Sequence, residues 1–152
     1  AQYYIAKGRQ VSGSDLVASE ITDFVKRKGV KVIIGNSAGN IKKDFDLVVY
    51  SPAVKSDNPE LKQARAFGIK TKTYPEALGD LTKNYYTIAV AGAHGKSTTT
   101  AMLGILMQNA GLDPTVVVGT KVKEFGGSNF RAGKSKFLVV DACEYDSAFL
   151  HY

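Results

Sequence analysis

Two periodicities alternate along the chain. Short β-rich runs, too brief for helices, predict strands over 10–12, 31–34, 46–50, 69–71, 86–91, 115–118 and 137–140. Between them, helical spacing and helical punctuation recur. A helix over 1–7 is closed by Gly8. A second, over 19–28, carries Ile21, Phe24 and Val25 on one face and stops at Gly29. Asp57-Asn58-Pro59 combines a cap with proline at a first turn, so a third helix starts there and ends at Gly68. A fourth spans 75–82. A fifth, over 96–110, has Met102, Leu103, Ile105, Leu106 and Met107 around much of its surface, the pattern of a buried helix, and Gly111 closes it. Residues 119–136 hold four glycines and read as hairpin or loop.

Strand and helix in alternation predict an α/β fold with parallel sheets. Lys83-Asn84-Tyr85 reads as a linker. It divides a Rossmann-like domain over 1–83 from the start of a phosphate-loop α/β domain over 84–152. The chain opens on Ala1, within what reads as the end of a helix, and stops at Tyr152 just past an acidic cluster, so truncation at both ends is expected.

Composition narrows the picture only a little. The 152 residues suffice for one ordinary domain or two small ones, and 44% apolar with 22% charged residues is the balance of a folded protein. The single cysteine, Cys143, excludes a disulfide within the chain and a cysteine-built zinc cluster, and fits a reducing compartment. No run approaches the roughly 18 apolar residues of a membrane span. The net charge of +6 suits an anionic ligand, but the lysines are scattered with no run of five. A solvated surface, with no nucleic acid as partner, is the simpler reading.

The most informative segment runs from Ile88 to Thr100, through Gly92-Ala93-His94-Gly95-Lys96-Ser97-Thr98. A strand enters a glycine loop that opens directly into a helix. Such a loop turns backbone N–H groups inward around phosphate oxygens, and the helix start adds its positive end. Lys96 can reach the outer phosphates of ATP, and the Ser97 hydroxyl can ligate Mg²⁺. Thr98 is expected to reach phosphate and Thr100 to be structural. The general phosphate-loop pattern has glycine where Val90 stands, so the match is incomplete. At the end of the last strand, Asp141, Glu144 and Asp146 all compete to hold the metal. Cys143 lacks an evident base and reads as a small buried residue. In the first half, Asp15 follows a strand at the place where an acid accepts ribose hydroxyls, although capping of a helix by Ser14 or Asp15 explains it equally. Ser51 and the N–H groups near Ala53, past another strand, lie where a diphosphate can bind.

Taken together, Val11-Ser12-Gly13-Ser14-Asp15, Ser51-Pro52-Ala53, Asp57-Asn58-Pro59-Glu60-Leu61, the Ala89 to Thr100 loop and Glu144-Tyr145-Asp146 with Phe149-Leu150 resemble the Mur ligases, in order and over nearly the whole chain. The resemblance implies a cytoplasmic enzyme of peptidoglycan synthesis with three domains, for UDP, for ATP and magnesium, and for the incoming amino acid. This chain then holds the first without its opening strand and glycine loop, part of the second, and none of the third, and is inactive alone. The branch most resembled joins L-alanine to UDP-N-acetylmuramate through an acyl phosphate, with Lys96 as the catalytic cation. The UDP-binding residues implied are Ser14, Asp15, Ser51 and Ala53. The ATP-binding residues are Gly92, Ala93, His94, Gly95, Lys96, Ser97 and Thr98. The metal ligands are Ser97 and Glu144, and Asp141 becomes a support.

Departures from the family pattern are Ala93 for a usual threonine, Ser97 for the commoner threonine, and Cys143 for an aspartate. Tyr145 is commoner in a sister branch that attaches a recycled tripeptide, which keeps that branch as an alternative. A nucleotide-binding regulator without ligation is a second alternative. An oxidoreductase read from the first half alone leaves the Gly95-Lys96-Ser97 loop without a purpose.

Overall fold

The computed structural model describes residues 1–142. It divides into two compact units, Ala1–Tyr74 and one that begins at Pro75. Among the described residues no helix is long and apolar enough to cross a membrane.

The first unit holds α1 (Gln2–Ala6), β1 (Ser12–Asp15), α2 (Glu20–Arg27), β2 (Lys31–Ile34), β3 (Leu47–Tyr50), α3 (Pro59–Ala66) and β4 (Lys70–Thr73). Strands β1 and β2 pair in parallel, with Ser14 opposite Ile33, and β3 pairs in parallel with β4. The α/β class with parallel pairing is therefore as expected. The first strand is displaced from the expected 10–12 to Ser12–Asp15. Its Ser-Gly-Ser-Asp sequence has low strand propensity, and the ladder to apolar β2 makes it a strand. Helix α2 starts at Ser19, not at Ser14 or Asp15. Ser19 accepts from the Thr22 N–H while Thr22 accepts from the Ser19 N–H, a reciprocal cap. Thr22 is the buried residue of this helix, while Ile21, expected on its apolar face, is 69% exposed. Asn58 caps α3, its Oδ1 accepting from the Glu60 and Leu61 N–H groups. Leu61 and Ala64 fix that helix in the core.

The second unit continues with α4 (Tyr74–Thr82, from Pro75 onward), β5 (Tyr86–Val90), α5 (Lys96–Asn109), β6 (Thr115–Val122), β7 (Ser128–Arg131) and β8 (Phe137–Asp141). Compactness places α4 in this unit, whereas the sequence reading ends the first domain after it. The sheet order is β5-β8-β6-β7, with β8 parallel to β5 and β6, and β7 antiparallel to β6. The glycine-rich stretch is a hairpin. Strand β6 runs four residues past its expected end, and Gly126 and Gly127 turn the chain at φ 69° and 75°. Leu138, Val139, Val140 and Val116 are fully buried. Helix α5 packs on this layer through Met107 and Leu103. Gly104 lets it approach closely, because a Cβ there would lie 2.8 Å from Val116 Cγ2. The helix is not apolar-buried all round, as its sequence suggested. Met102 and Leu106, one turn apart, are 58% and 63% exposed.

The turn into β6 is locked electrostatically. Asp113 sits at φ 42°, unusual for a residue with a side chain. Its Oδ1 meets Arg131 Nη2 at 2.6 Å and its Oδ2 accepts from the Lys134 N–H. Arg131 also donates to the Pro114 carbonyl at 2.6 Å. The Arg131 hydrogen bond, then the Lys134 N–H, hold the Asp113 carboxyl below the usual carboxylate range. A depressed carboxylate contributes stability above its unfolded-state pKa, and that contribution fades as pH falls through the folded value. Arg131→Met should therefore lower the melting temperature at neutral pH, and the gap to wild type should narrow in acid. A gap of constant size down to the acid transition would show that the ion pair does not hold the turn.

Candidate functional site

The segment 91–95 is curled between β5 and α5. Gly92 has φ 148° and Gly95 has φ 73°, conformations open to glycine and strained for other residues. Gly95 is the N-cap of α5, and being a glycine it offers no capping side chain. The first turn of α5 therefore has no side chain of its N-cap residue over it, and the positive end of the helix faces this loop. Ala93, His94 and Thr98 are exposed around this turn, and Thr100, one turn further in, is fully buried.

Lys96 is the first residue of α5, where the expected helix over 96–110 begins; it is half-buried, and its Nζ donates to the Gly92 carbonyl at 2.7 Å. That bond draws the ammonium across the mouth of the curl. The reason is geometric: a lysine four residues past a left-turning glycine reaches back over the loop it closes.

Ser97 Oγ donates to Asp141 Oδ2 at 2.5 Å, so the start of α5 is tied to the end of β8. The same oxygen accepts from the Gly119 N–H at 3.2 Å. The other carboxylate oxygen, Oδ1, is buried and has no partner among the described residues. A hydroxyl beside a half-satisfied carboxylate is a hard oxygen donor set, and it fits a magnesium ion bound directly or through water. Glu144 lies outside the described residues, as do Cys143, Tyr145, Asp146, Phe149 and Leu150. Gly119 was not found from sequence. Its signal was only its place among four glycines in a stretch read as hairpin or loop.

In the first unit, Ser14, Asp15, Ser51 and Ala53 are all exposed at or just past the carboxyl ends of parallel strands, where ligands of open α/β sheets sit. Ser14 Oγ donates to Glu60 Oε2 at 2.6 Å, and Asn40 Nδ2 donates to Glu60 Oε1 at 2.6 Å. Glu60, at the start of α3, thus gathers β1 and the turn at Ala38–Asn40. Neither Glu60 nor Asn40 was singled out by role from sequence. Asp15 Oδ1 accepts from the Val17 N–H at 3.4 Å, and Ser51 Oγ accepts from the Ala53 N–H at 3.3 Å, each closing its own turn.

A family model described as Mur ligase family, catalytic domain, matches residues 1–86. The chain is 46% identical over its whole length to the UDP-N-acetylmuramate–L-alanine ligase of Acetivibrio thermocellus, covering 32% of that relative. It is 44% identical to the Clostridium kluyveri enzyme of the same name, covering 33% of it. Among solved structures, the Thermotoga maritima UDP-N-acetylmuramate–alanine ligase superposes with a TM-score of 0.85 at 30% identity, over 92% of this chain and 33% of that one. A ligase from Neisseria meningitides that is named for UDP-N-acetylmuramate and L-alanyl-γ-D-glutamyl-meso-diaminopimelate gives 0.85 at 26% identity, over 98% and 52%. The chain spans about a third of the length of the curated relatives it matches.

Thr100 Oγ1 is buried without a partner among the described residues. Thr100→Val keeps its shape and removes an unsatisfied hydroxyl, so it should stabilise the chain by about 1 kcal/mol in chemical denaturation. A loss of that size would show that the hydroxyl is bonded in solution.

Proposed function

Because the chain belongs to the Mur ligase family, we propose that it is part of an ATP-dependent ligase of peptidoglycan synthesis that joins L-alanine to UDP-N-acetylmuramate. The observation that carries the reading is the curled loop before α5 with its glycine N-cap, Lys96 folded over it and Ser97 tied to Asp141. Likeness to alanine ligases along the whole chain supports the substrate. The 30% identity to the alanine-ligase structure against 26% to the tripeptide-ligase structure points the same way, though more weakly.

In this reading the backbone N–H groups at Ala93, His94, Gly95, Lys96, Ser97 and Thr98, with the turn at Gly92, cradle the phosphates of ATP. The muramyl carboxylate attacks the terminal phosphorus, and the bond to the bridging oxygen breaks to release ADP. Lys96 leaves the Gly92 carbonyl and neutralises charge on the transferred phosphoryl. The amine of L-alanine then attacks the acyl phosphate carbon, loses a proton and displaces inorganic phosphate. Magnesium, when bound, spreads the phosphate charge. Ser97 and, by motif position, Glu144 are its proposed ligands, with Asp141 holding Ser97 in place.

Ser14, Asp15, Ser51 and Ala53 are the proposed contacts to the UDP moiety. In this domain, 1–83, strands β1 and β3 each have one partner among the described residues, and β1 is exposed at every position. Parallel strands are ordinarily covered on both sides. A further strand between β1 and β3, ending in a glycine loop, accounts for one open edge of each two-stranded sheet. The ATP-binding domain begins at 84. Its substrates place the enzyme in the cytoplasm.

The full-length enzyme should release phosphate from ATP only when both UDP-N-acetylmuramate and L-alanine are present. Lys96→Ala should lower turnover by about 100-fold or more with an unchanged circular dichroism spectrum. The 152-residue chain alone should give no amide product. Phosphate release that ignores the sugar, with nucleotide-dependent capture of a protein, would favour a regulator.

A further inference from the structure

Beyond the loop, one glycine of β6 stands against the heart of the site. Gly119 donates its N–H to Asp141 Oδ2, the oxygen that also accepts from Ser97. A Cβ built on Gly119 would lie 2.9 Å from that oxygen and 3.1 Å from Ser97 Oγ. Both distances are inside van der Waals contact. The backbone of Gly119 is not in the left-handed region, so torsion does not require a glycine here. Space does. Val118 and Val122 on either side are buried, and the ladder to β7 shifts register between Val117 and Val122, so a side chain at 119 must displace either the strand or the Ser97–Asp141 pair.

We propose that Gly119 is a positioning residue for the metal–nucleotide site: its N–H fixes one oxygen of Asp141 and its missing side chain leaves room for the Ser97–Asp141 bond. The consequence is directional. With Oδ2 occupied by two donors, Oδ1 is the oxygen left available, and it is the one that is buried and unpartnered among the described residues. Gly119 thereby selects which edge of the carboxylate faces the cation. A side chain at 119 would rotate or displace the carboxylate, lengthen the hydroxyl bond and spoil the donor set without touching the phosphate-binding N–H groups of α5. The inference rests on the nucleotide reading for its purpose, but its geometry is independent of nucleotide.

The test has two arms. In the nucleotide-free 152-residue chain, Asp141→Asn should shift the amide resonance of Gly119 far more than those of Gly126 and Gly127. An unmoved Gly119 resonance overturns the proposal whether or not the chain binds ATP. In the second arm, ATP affinity is titrated with magnesium and again with EDTA. Gly119→Ala should lose about tenfold of the magnesium-dependent gain while its affinity in EDTA and its melting temperature stay close to wild type. Asp141→Asn should lose the same component, and the double variant no more than either alone. Equal losses with and without magnesium, or a full magnesium gain in Gly119→Ala, overturn the positioning role. Absence of ATP binding by wild type counts against the nucleotide reading, and the resonance arm then decides the geometry.

Discussion

A single hydrogen bond, from the Ser97 hydroxyl to Asp141, fastens the beginning of a helix to the end of a strand, and the second unit is organised around that junction. On one side the chain has just left β5 through a loop that two left-handed or extended-positive glycines make possible. On the other, β8 emerges from a fully buried run of Leu138, Val139 and Val140. A buried strand cannot slide without moving its neighbours, so the carboxylate at its end is held to a fraction of the freedom of a loop residue. The helix start, which lacks a side-chain cap, gains its anchor one residue in. Rigidity supplied by the core is thereby delivered to a polar junction at the surface.

Both units use carboxylates to join segments distant in sequence. In the first, Glu60 bridges Ser14 and Asn40, while Asp15 and Ser51 are engaged with the N–H groups of their own turns. The Asp15 and Ser51 bonds are local devices that shape strand ends, whereas Glu60 joins segments far apart in sequence. In the second, Asp113 and Asp141 each join segments far apart in sequence. Both aspartates stand where strands enter or leave the sheet, so the polar framework brackets the apolar layer.

Much of this was legible in the chain. Strand β2 matched its predicted bounds because a compact apolar run has a single reading. The start of α3 was readable because Asn58 and Pro59 each act within one turn. The loop from Gly92 to Ser97 was recognisable because its chemistry is local. What sequence could not give was set by distant partners. The strand at Ser12–Asp15 exists through its ladder to β2, the exposed side of α5 depends on where the sheet stops, and Gly119 matters only because β8 brings Asp141 beside it. By contrast, Lys96 opens α5 at the expected residue, because the change from glycine loop to helical spacing is a local signal.

Among the described residues β1 and β3 each keep one flank without a strand, and until a further strand fills that place these flanks carry a liability of their own. An unpaired strand flank is a template for a foreign strand, and its hazard depends on what side chains it offers. The Leu-Val-Val-Tyr sequence of β3 is of the apolar, β-prone kind that recruits other chains, whereas Ser-Gly-Ser-Asp in β1 is small, polar and ends in a charge. Intermolecular sheet growth would thus start from one flank and find little to stack on at the other. The polarity of β1, useful beside a ligand, also acts as a gatekeeper against aggregation.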